Sequence, residues 1–316
     1  MVSASSHPTA TQSQPLLGIG LKVTSVAVFL AMASLLKASG HVPAGELVFF
    51  RSFFGLIPVI GWLAYRRELS VGIRTRHLSG HLARGSVGTV SMGLGFFALT
   101  QLPLPEATTL SYAMPLIIVV LSAIFLKELV RLYRWSAVAV GIAGVLLIAW
   151  PSLTLFTAGV SSKAAIGVSA ALAAAVLGAV AQLLVRRLVG TERSATIVFY
   201  FLASSSVIAL VTLPFGWVVP SLVQALCLVG AGICGGAAQI MLTESYRHAD
   251  MSVVAPFEYT SLVFSIAVGY FAFGDVPTWQ MLVGGVIVVG SGLFILWREQ
   301  RLGRKAPEKE VATPQG

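Results

Sequence analysis

The sequence predicts an all-α integral membrane protein with ten transmembrane helices, arranged as two inverted five-helix repeats. Three observations support this fold class. The 316 residues are 56% hydrophobic and only 10% charged, whereas a soluble domain is about a quarter charged. The mean hydropathy is +0.88. The apolar residues also gather into stretches of about 20, the length that an α-helix needs to cross a bilayer.

Ten such stretches follow one another along the chain, and we expect each to be a helix. The first follows a segment rich in Ser, Thr, Gln and Pro that lacks the basic start of a cleaved signal peptide. We therefore interpret it as a retained helix. The ten stretches are 17–36, 45–65, 80–99, 105–126, 133–150, 164–185, 195–214, 221–243, 251–273 and 278–297.

The positions of Lys and Arg predict the orientation of the chain. Sixteen of these 21 residues fall on one side of the predicted helices, and two, Lys37 and Lys163, fall on the other. Lys22, Arg51 and Arg84 lie within spans. Because cytoplasmic loops are enriched in basic residues, we expect both termini to be cytoplasmic. The same rule explains the net charge of +9 without nucleic-acid binding.

The second half of the chain repeats the layout of the first. In each half an apolar stretch contains a proline, Pro115 or Pro256, and a tryptophan, Trp135 or Trp279, opens the next stretch. Five is an odd number, so the second half must enter the membrane upside down. Secondary transporters often have such inverted repeats, with the site between them. We expect the repeats at 16–150 and 163–297, and disordered cytoplasmic tails at 1–15 and 298–316.

Several motifs resemble those of the drug/metabolite transporter superfamily, specifically its EamA-type members. They are ELVFFRS in the second stretch, LSYAMPL in the fourth, FLKE after it, and VVAPFEYTSLVFSIAVGYFAFGD in the ninth. The resemblance spans about 16–297. It implies a carrier of small organic solutes in the bacterial inner membrane, working by alternating access.

Within that family, ELVFFRS and PFEYTSL are similar to segments of uptake carriers for riboflavin and S-adenosylmethionine. The resemblance implies riboflavin uptake first, with S-adenosylmethionine, amino acids or another metabolite, imported or exported, as alternatives. Proton coupling, direction and oligomeric state stay open. The alternative of another class is a membrane-embedded enzyme, but the sequence contains no HExxH, GxSxG or GxxxxGK motif. We expect no enzymatic activity, cofactor or metal site.

Two ionisable residues within the spans are the main candidates for substrate binding or ion coupling. Glu258 lies about 10 Å into the ninth span and has no charged neighbour there. It is a candidate for proton coupling or for pairing with Arg51. Arg51 lies about 8 Å deeper than Glu46 and is a candidate for fixing an anionic group. The structural alternatives are a protonated Glu258 in a helix interface and a snorkelling Arg51.

The remaining charged residues lie nearer to the membrane surfaces. We expect Glu46 at the outer mouth, in contact with the solute or simply with water. Arg84, near the cytoplasmic end of the third span, either lines the path or anchors its helix at the interface. We expect Lys22 to snorkel to the surface in the same way.

Polar side chains in four spans complete the candidate site. Thr108, Ser111 and Tyr112 share one face of the fourth helix, and such a face should meet a cavity or another helix. Tyr259 offers stacking to a flat heterocyclic solute, or packing between helices. Gln182 and Gln239, near the cytoplasmic ends of their helices, either close an inner gate or hydrogen-bond between helices.

Overall fold

The computed structural model describes residues 15–125, 131–157, 163–189, 191–249 and 251–303. The predicted tails lie outside these ranges, except that residue 15 and residues 298–303 are helical. All regular structure in the described residues is helical.

The first half contains five long passages and one short surface helix. One of the passages, the fourth, is divided into two helices. The elements are α1 (Pro15–Ala38), α2 (Ala44–Tyr65), the short α3 (Leu69–Gly72), α4 (Leu78–Gln101), α5 (Leu104–Ser111) with α6 (Ala113–Phe125), and α7 (Leu132–Thr157).

The second half has the same order of passages. Its fourth passage is divided too, by a 3₁₀ segment that connects a single helical turn to a longer helix. The elements are α8 (Lys163–Val189), α9 (Ser194–Leu210), α10 (Leu222–His248), α11 (Met251–Val254), the 3₁₀ segment Ala255–Tyr259, α12 (Thr260–Phe273) and α13 (Trp279–Gly303).

These helices account for the ten predicted spans. In the described residues, eight helices are long and apolar enough to cross a membrane when α5 and α6 are counted as one. The two other passages complete the ten. The seventh in chain order is α9, an apolar helix of 17 residues, and the ninth is the divided passage from α11 to α12. We call the end of the bundle where α1 begins the basic end, because the arginine-containing links after α2 and α8 lie there.

Both divided passages break where a proline removes a helix hydrogen bond. Pro115 has no N–H to donate to the carbonyl of Ser111, and the chain between α5 and α6 turns at Tyr112. Pro256 likewise lies in the 3₁₀ segment between α11 and α12. Each passage begins with a short helical segment and continues with a longer one, and the two begin at opposite ends of the bundle. The breaks therefore occupy equivalent places in the two halves.

The packing between helices has the same inverted symmetry. The two most extensive helix contacts are α1 against α10 and α4 against α8. α1 and α8 are the first passages of their halves, and α4 and α10 are the third. Each of the two contacts therefore joins the first passage of one half to the third passage of the other. The helices that close the halves, α7 and α13, pack against each other at the side of the bundle.

Glycines allow the closest of these approaches. A Cβ at Gly236 of α10 would lie 2.4 Å from the carbonyl oxygen of Gly55 in α2. Gly144 of α7 and Gly284 of α13 face each other in a reciprocal contact, where a Cβ on either would lie within 3.0 Å of the other's carbonyl oxygen. Small residues serve this purpose commonly in membrane proteins.

Candidate functional site

A cavity of about 420 Å³ lies between the two halves of the bundle. Its walls come from α1, α4, α5 with α6, α8, and the junction of the 3₁₀ segment with α12. The walls are mostly apolar, with side chains such as Phe29, Leu30 and Phe96. The polar residues that line it are Ser91, Thr108, Ser111, Tyr112, Glu258 and Ser261.

The polar face predicted for the fourth span lines this cavity. The Thr108 and Ser111 hydroxyl groups donate hydrogen bonds to main-chain carbonyls of their own helix, at 2.8 Å and 2.6 Å. The hydroxyl groups of Tyr112 and Ser261 are hydrogen-bonded to each other. Because Ser261 Oγ donates to the Glu258 carbonyl oxygen at 2.7 Å, Tyr112 must donate to Ser261. This chain of hydrogen bonds connects the breaks of the two divided passages.

Tyr259 lies behind Tyr112, at the edge of the same region. The two rings meet edge to face, with their centroids 5.2 Å apart. The Tyr259 hydroxyl group fits against Gly292 of α13, where any Cβ would overlap it. Tyr259 therefore packs between helices, and it supports the ring of Tyr112 that faces the cavity.

Glu258 forms an ion pair with Lys22 at the cavity wall. The Lys22 residue is 2% exposed, whereas the Glu258 side chain is 53% exposed. Two predictions are therefore wrong. Lys22 does not snorkel to the surface, and Glu258 does not pair with Arg51. The α1 helix packs directly on the 3₁₀ segment, so the ammonium group reaches the carboxylate within the bundle.

A second ion pair lies at the opposite end of the bundle, between Lys37 and Asp275. The Lys37 Nζ atom lies 3.0 Å from Asp275 Oδ2 and donates to the Leu102 carbonyl oxygen at 2.8 Å. The same carboxylate accepts from the Leu104 N–H at 3.0 Å. The end of α1, the link between α4 and α5, and the link after α12 are thereby joined. This pair was not predicted from the sequence, in which Lys37 stands only as a charge between two predicted spans.

Arg51 and Arg84 lie outside the central cavity, where α2, α4 and α9 meet. The Arg51 guanidinium carbon is 5.9 Å from the ring centroid of Phe201 in α9, and that of Arg84 is 4.0 Å away. Arg84 therefore faces the bundle interior at this ring and is not a simple interfacial anchor. Neither arginine forms a salt bridge with a described residue.

Glu46 is buried, so the expectation that it lies in water at the outer mouth is wrong. It is 1% exposed, and its carboxylate accepts a hydrogen bond of 3.1 Å from the Val218 N–H. Val218 belongs to the link after α9, which folds over the start of α2. Glu46 therefore holds this link in place and does not reach the cavity.

The two glutamines are placed differently from each other. Gln182 is exposed on α8. Gln239 lines a second cavity of about 500 Å³ near the basic end, between α2, α9 and α10, together with Trp62, Glu192 and Glu244. The structure therefore brings Gln239, but not Gln182, to a cavity.

Glu192 connects two links at the basic end. Its carboxylate accepts hydrogen bonds from the Thr75 hydroxyl at 2.6 Å and from the Arg76 N–H at 3.1 Å. The hydrogen bond from Thr75 is the main reason that the pKa of Glu192 lies below its ordinary value. This contact joins the link after α2 to the link after α8, so the two halves are tied together at their basic end.

A family model and several relatives show what kind of protein has this architecture. The model of the EamA-like transporter family matches residues 15–150 and again residues 165–297. The chain belongs to the EamA-like transporter family. It is therefore a multi-pass membrane transporter of small metabolites and not an enzyme, as the sequence predicted.

Relatives of this EamA-like transporter have different substrates in their names. A pseudopaline exporter of Pseudomonas aeruginosa is 30% identical over 275 residues, covering 86% of this chain and 93% of that protein. An S-adenosylmethionine uptake transporter of Rickettsia conorii is 27% identical over 299 residues, with coverages of 93% and 97%. A riboflavin transporter of Vibrio cholerae is 28% identical over 260 residues, with coverages of 81% and 84%.

The fold of this EamA-like transporter also matches a solved crystal structure. The TM-score is 0.62 at 23% sequence identity, and the match covers 90% of this chain and 98% of the other. At this identity the likeness shows the fold alone.

Proposed function

We propose that this chain is a secondary active transporter for a zwitterionic metabolite of the amino-acid type, with S-adenosylmethionine as the first candidate. The observation that carries the proposal is the Lys22–Glu258 ion pair at the cavity wall. An α-amino acid group presents an ammonium and a carboxylate on one carbon atom. Glu258 binds the ammonium group while Lys22 binds the carboxylate, so neither charge is left without a partner of opposite sign.

The size and lining of the cavity support a small organic solute. Its volume of about 420 Å³ lies within the range of about 300–1,000 Å³ that is typical of small-molecule sites. S-adenosylmethionine combines an amino-acid group with a flat adenine ring, and the Tyr112 ring at the wall offers a surface for that ring. The similarity to uptake transporters for S-adenosylmethionine supports the same choice.

Riboflavin, which the family resemblance of the sequence implied first, becomes the second candidate. The edge-to-face pair of Tyr112 and Tyr259 and the apolar walls favour a flat ring system. Riboflavin, however, has no ammonium and carboxylate pair to take the place of the contact between Lys22 and Glu258. The match to a riboflavin transporter also covers less of this chain than the matches to the other two relatives.

Alternating access follows from the two ion pairs in this proposal. Lys37 and Asp275 close the cavity at the opposite end, while Lys22 and Glu258 meet at the solute. Protonation of Glu258 removes the counter-charge of Lys22, so Glu258 is also the candidate for proton coupling. We place the chain in the bacterial inner membrane with the basic end and both termini in the cytoplasm, following the distribution of basic residues.

Uptake by proteoliposomes tests this function. Purified protein should accumulate labelled S-adenosylmethionine in a saturable manner, faster with a pH gradient than without one, and unlabelled riboflavin should compete weakly. Ser111→Trp, which fills the cavity, should abolish uptake. Ser136→Trp, at an exposed position of α7, should leave it unchanged. Saturable riboflavin uptake that S-adenosylmethionine does not inhibit would replace the proposed substrate, and equal loss in both variants would contradict the role of the cavity.

A further inference from the structure

A second group of buried charges lies apart from the central cavity. Arg51 of α2 and Arg84 of α4 place their guanidinium groups over the ring of Phe201 in α9. None of these three residues lines the central cavity. The group thus has no part in the solute contacts proposed above.

Both arginines have buried N–H groups without an acceptor. The Nε and Nη1 atoms of Arg51, and the same atoms of Arg84, are buried and have no hydrogen-bond partner among the described residues. Arg51 is 7% exposed as a whole. Removing a cation from water is costly unless an opposite charge and hydrogen bonds compensate for it. Two cations beside one ring also repel each other, so this place favours an anion.

Two carboxylates of the bundle, those of Glu46 and Glu258, are already engaged elsewhere. Glu46, in the same helix as Arg51, accepts from a main-chain N–H of the link after α9. Glu258 pairs with a lysine of α1. The hydroxyl groups of Thr89, on the same helix as Arg84, and of Ser204, on α9, donate to main-chain carbonyls at 2.6 Å and 3.1 Å. In the part of the chain that the structure describes, no carboxylate forms a salt bridge with either arginine.

Two glycines define the places of the guanidinium groups. A Cβ at Gly88 would lie 2.0 Å from Arg84 Nη1, and a Cβ at Gly235 of α10 would lie 3.3 Å from Arg51 Nε. Helix backbones therefore approach both groups directly. The two guanidinium positions are set by the packing of four helices and not by free rotation at a surface.

We propose that Arg51 and Arg84 together bind a small oxyanion of the carboxylate or phosphate class inside the bundle. Both guanidinium carbons lie close to one ring, so at most about 10 Å separates them. An oxyanion with two acceptor oxygens spans such a distance through charge-assisted hydrogen bonds of about 2.8 Å on either side. The planar donor fork of arginine matches these anions in geometry. The bound anion would join α2 to α4 beside α9.

Thermal unfolding of the purified full-length protein in detergent tests this site. The unfolding temperature is measured against sodium phosphate and sodium acetate, with sodium chloride at the same ionic strength as the reference. We expect a saturable increase with phosphate or acetate beyond the effect of chloride, and the more effective anion identifies the class. Arg51→Gln and Arg84→Gln should each weaken the apparent affinity at least about tenfold, because each removes charge-assisted hydrogen bonds.

Arg66→Gln is the matched control, since Arg66 already pairs with Glu244 at the basic end. It should keep the full response to the anion. Without added oxyanion, Arg84→Gln should unfold at the same temperature as the parent or higher, because one of two repelling charges is gone. Equal responses to phosphate, acetate and chloride would overturn the proposal, as would unchanged affinity in both glutamine variants.

A second pair of variants keeps the test decisive if the glutamine variants do not fold. Arg51→Lys and Arg84→Lys retain the charge but lose the fork of donors. The proposal requires weaker oxyanion binding in each folded lysine variant, and undiminished affinity in both would overturn it. The measurement involves no transport, so its outcome is independent of the substrate proposed for the cavity.

Discussion

Two seams flank the central cavity, and they use the same helix geometry with different side chains. In the charged seam, α1 packs against the 3₁₀ segment and α12, and two ion pairs join them, one at Glu258 and one at Asp275. In the apolar seam, α8 packs against α5 and α6. The side chains buried there are small or aliphatic, and they include Ala113, Leu116, Ala170, Ala171 and Ala175.

The difference indicates which seam is built to open. Small apolar side chains gain their stability from close packing, and separating them exposes apolar surface and loses that gain. An ion pair is different, because water or a charged solute can replace each partner at a modest net cost. We therefore expect α1 to move against its divided partner during transport, while α8 and its partner stay together.

The largest effect is expected from breaking the ion pair at the cavity. Glu258→Gln removes the carboxylate that pairs with the buried ammonium group of Lys22, so the free energy of unfolding should fall by about 3 kcal/mol and uptake should be abolished. The double variant Lys22→Met/Glu258→Gln removes both charges, so it should regain most of the stability but none of the transport. Thermal unfolding in detergent and proteoliposome uptake measure the two quantities.

Glu68→Gln, which neutralises a carboxylate in the link after α2, is the control for the change in charge. It should leave stability and uptake near those of the parent. Additive stability losses for the Lys22 and Glu258 substitutions would show that the pair does not couple the two helices. Uptake retained by the double variant would contradict the proposed contact with a zwitterion.

A smaller effect is expected at the opposite end of the charged seam. Asp275→Asn or Lys37→Met removes the second ion pair, so the cavity should open more often at that end. The opening can be followed with the variant Ser111→Cys, which places a thiol at the wall of the central cavity. The native Cys227 and Cys234 are replaced by Ala in this variant, and the rate at which an impermeant maleimide labels the new thiol is measured. We expect labelling from that side to accelerate about tenfold, as the loss of one charge-assisted hydrogen bond implies.

Lys163→Met provides the matched control, because Lys163 begins α8 of the apolar seam at the same end and is exposed. Its removal should leave the labelling rate unchanged. If Lys163→Met accelerates labelling as much as Lys37→Met, the opening does not depend on the charged seam. That result would contradict the proposal that the charged seam opens while the apolar seam stays closed.

The spans and their breaks could be predicted from the sequence because both depend on local properties. Hydrophobic length predicts a span, and a proline removes a hydrogen bond wherever it stands. The inverted arrangement followed from the odd number of spans per half. The conformations of the links between the helices could not be predicted in this way, because they do not follow from hydrophobic length or from a proline. Glu46 is buried because the link after α9 folds over it, and no periodicity describes that fold.

The ion pairs depend on which helices are neighbours, and the sequence alone left that open. One comparison of depth would have helped. Lys22 and Glu258 are each the eighth residue of a passage that begins at the basic end, so they lie at the same depth. Arg51 is the eighth residue of α2, which begins at the opposite end. Arg51 therefore lies at a different depth from Glu258, and this difference in depth separates the two charges.

The smallest effect is expected where the charged seam touches the first divided passage. Tyr112→Phe removes the hydroxyl group that donates to Ser261 and leaves the ring in place. The free energy of unfolding should fall by about 1 kcal/mol, the usual loss for one hydrogen bond, and uptake should slow no more than about fivefold. Ser261→Ala should cost a similar amount, and the two losses should not add, because both remove the same contact. Tyr65→Phe, at the exposed end of α2, should change neither quantity. Additive losses would mean that the two breaks are not connected through these hydroxyl groups, and that the divided passages meet only through their rings.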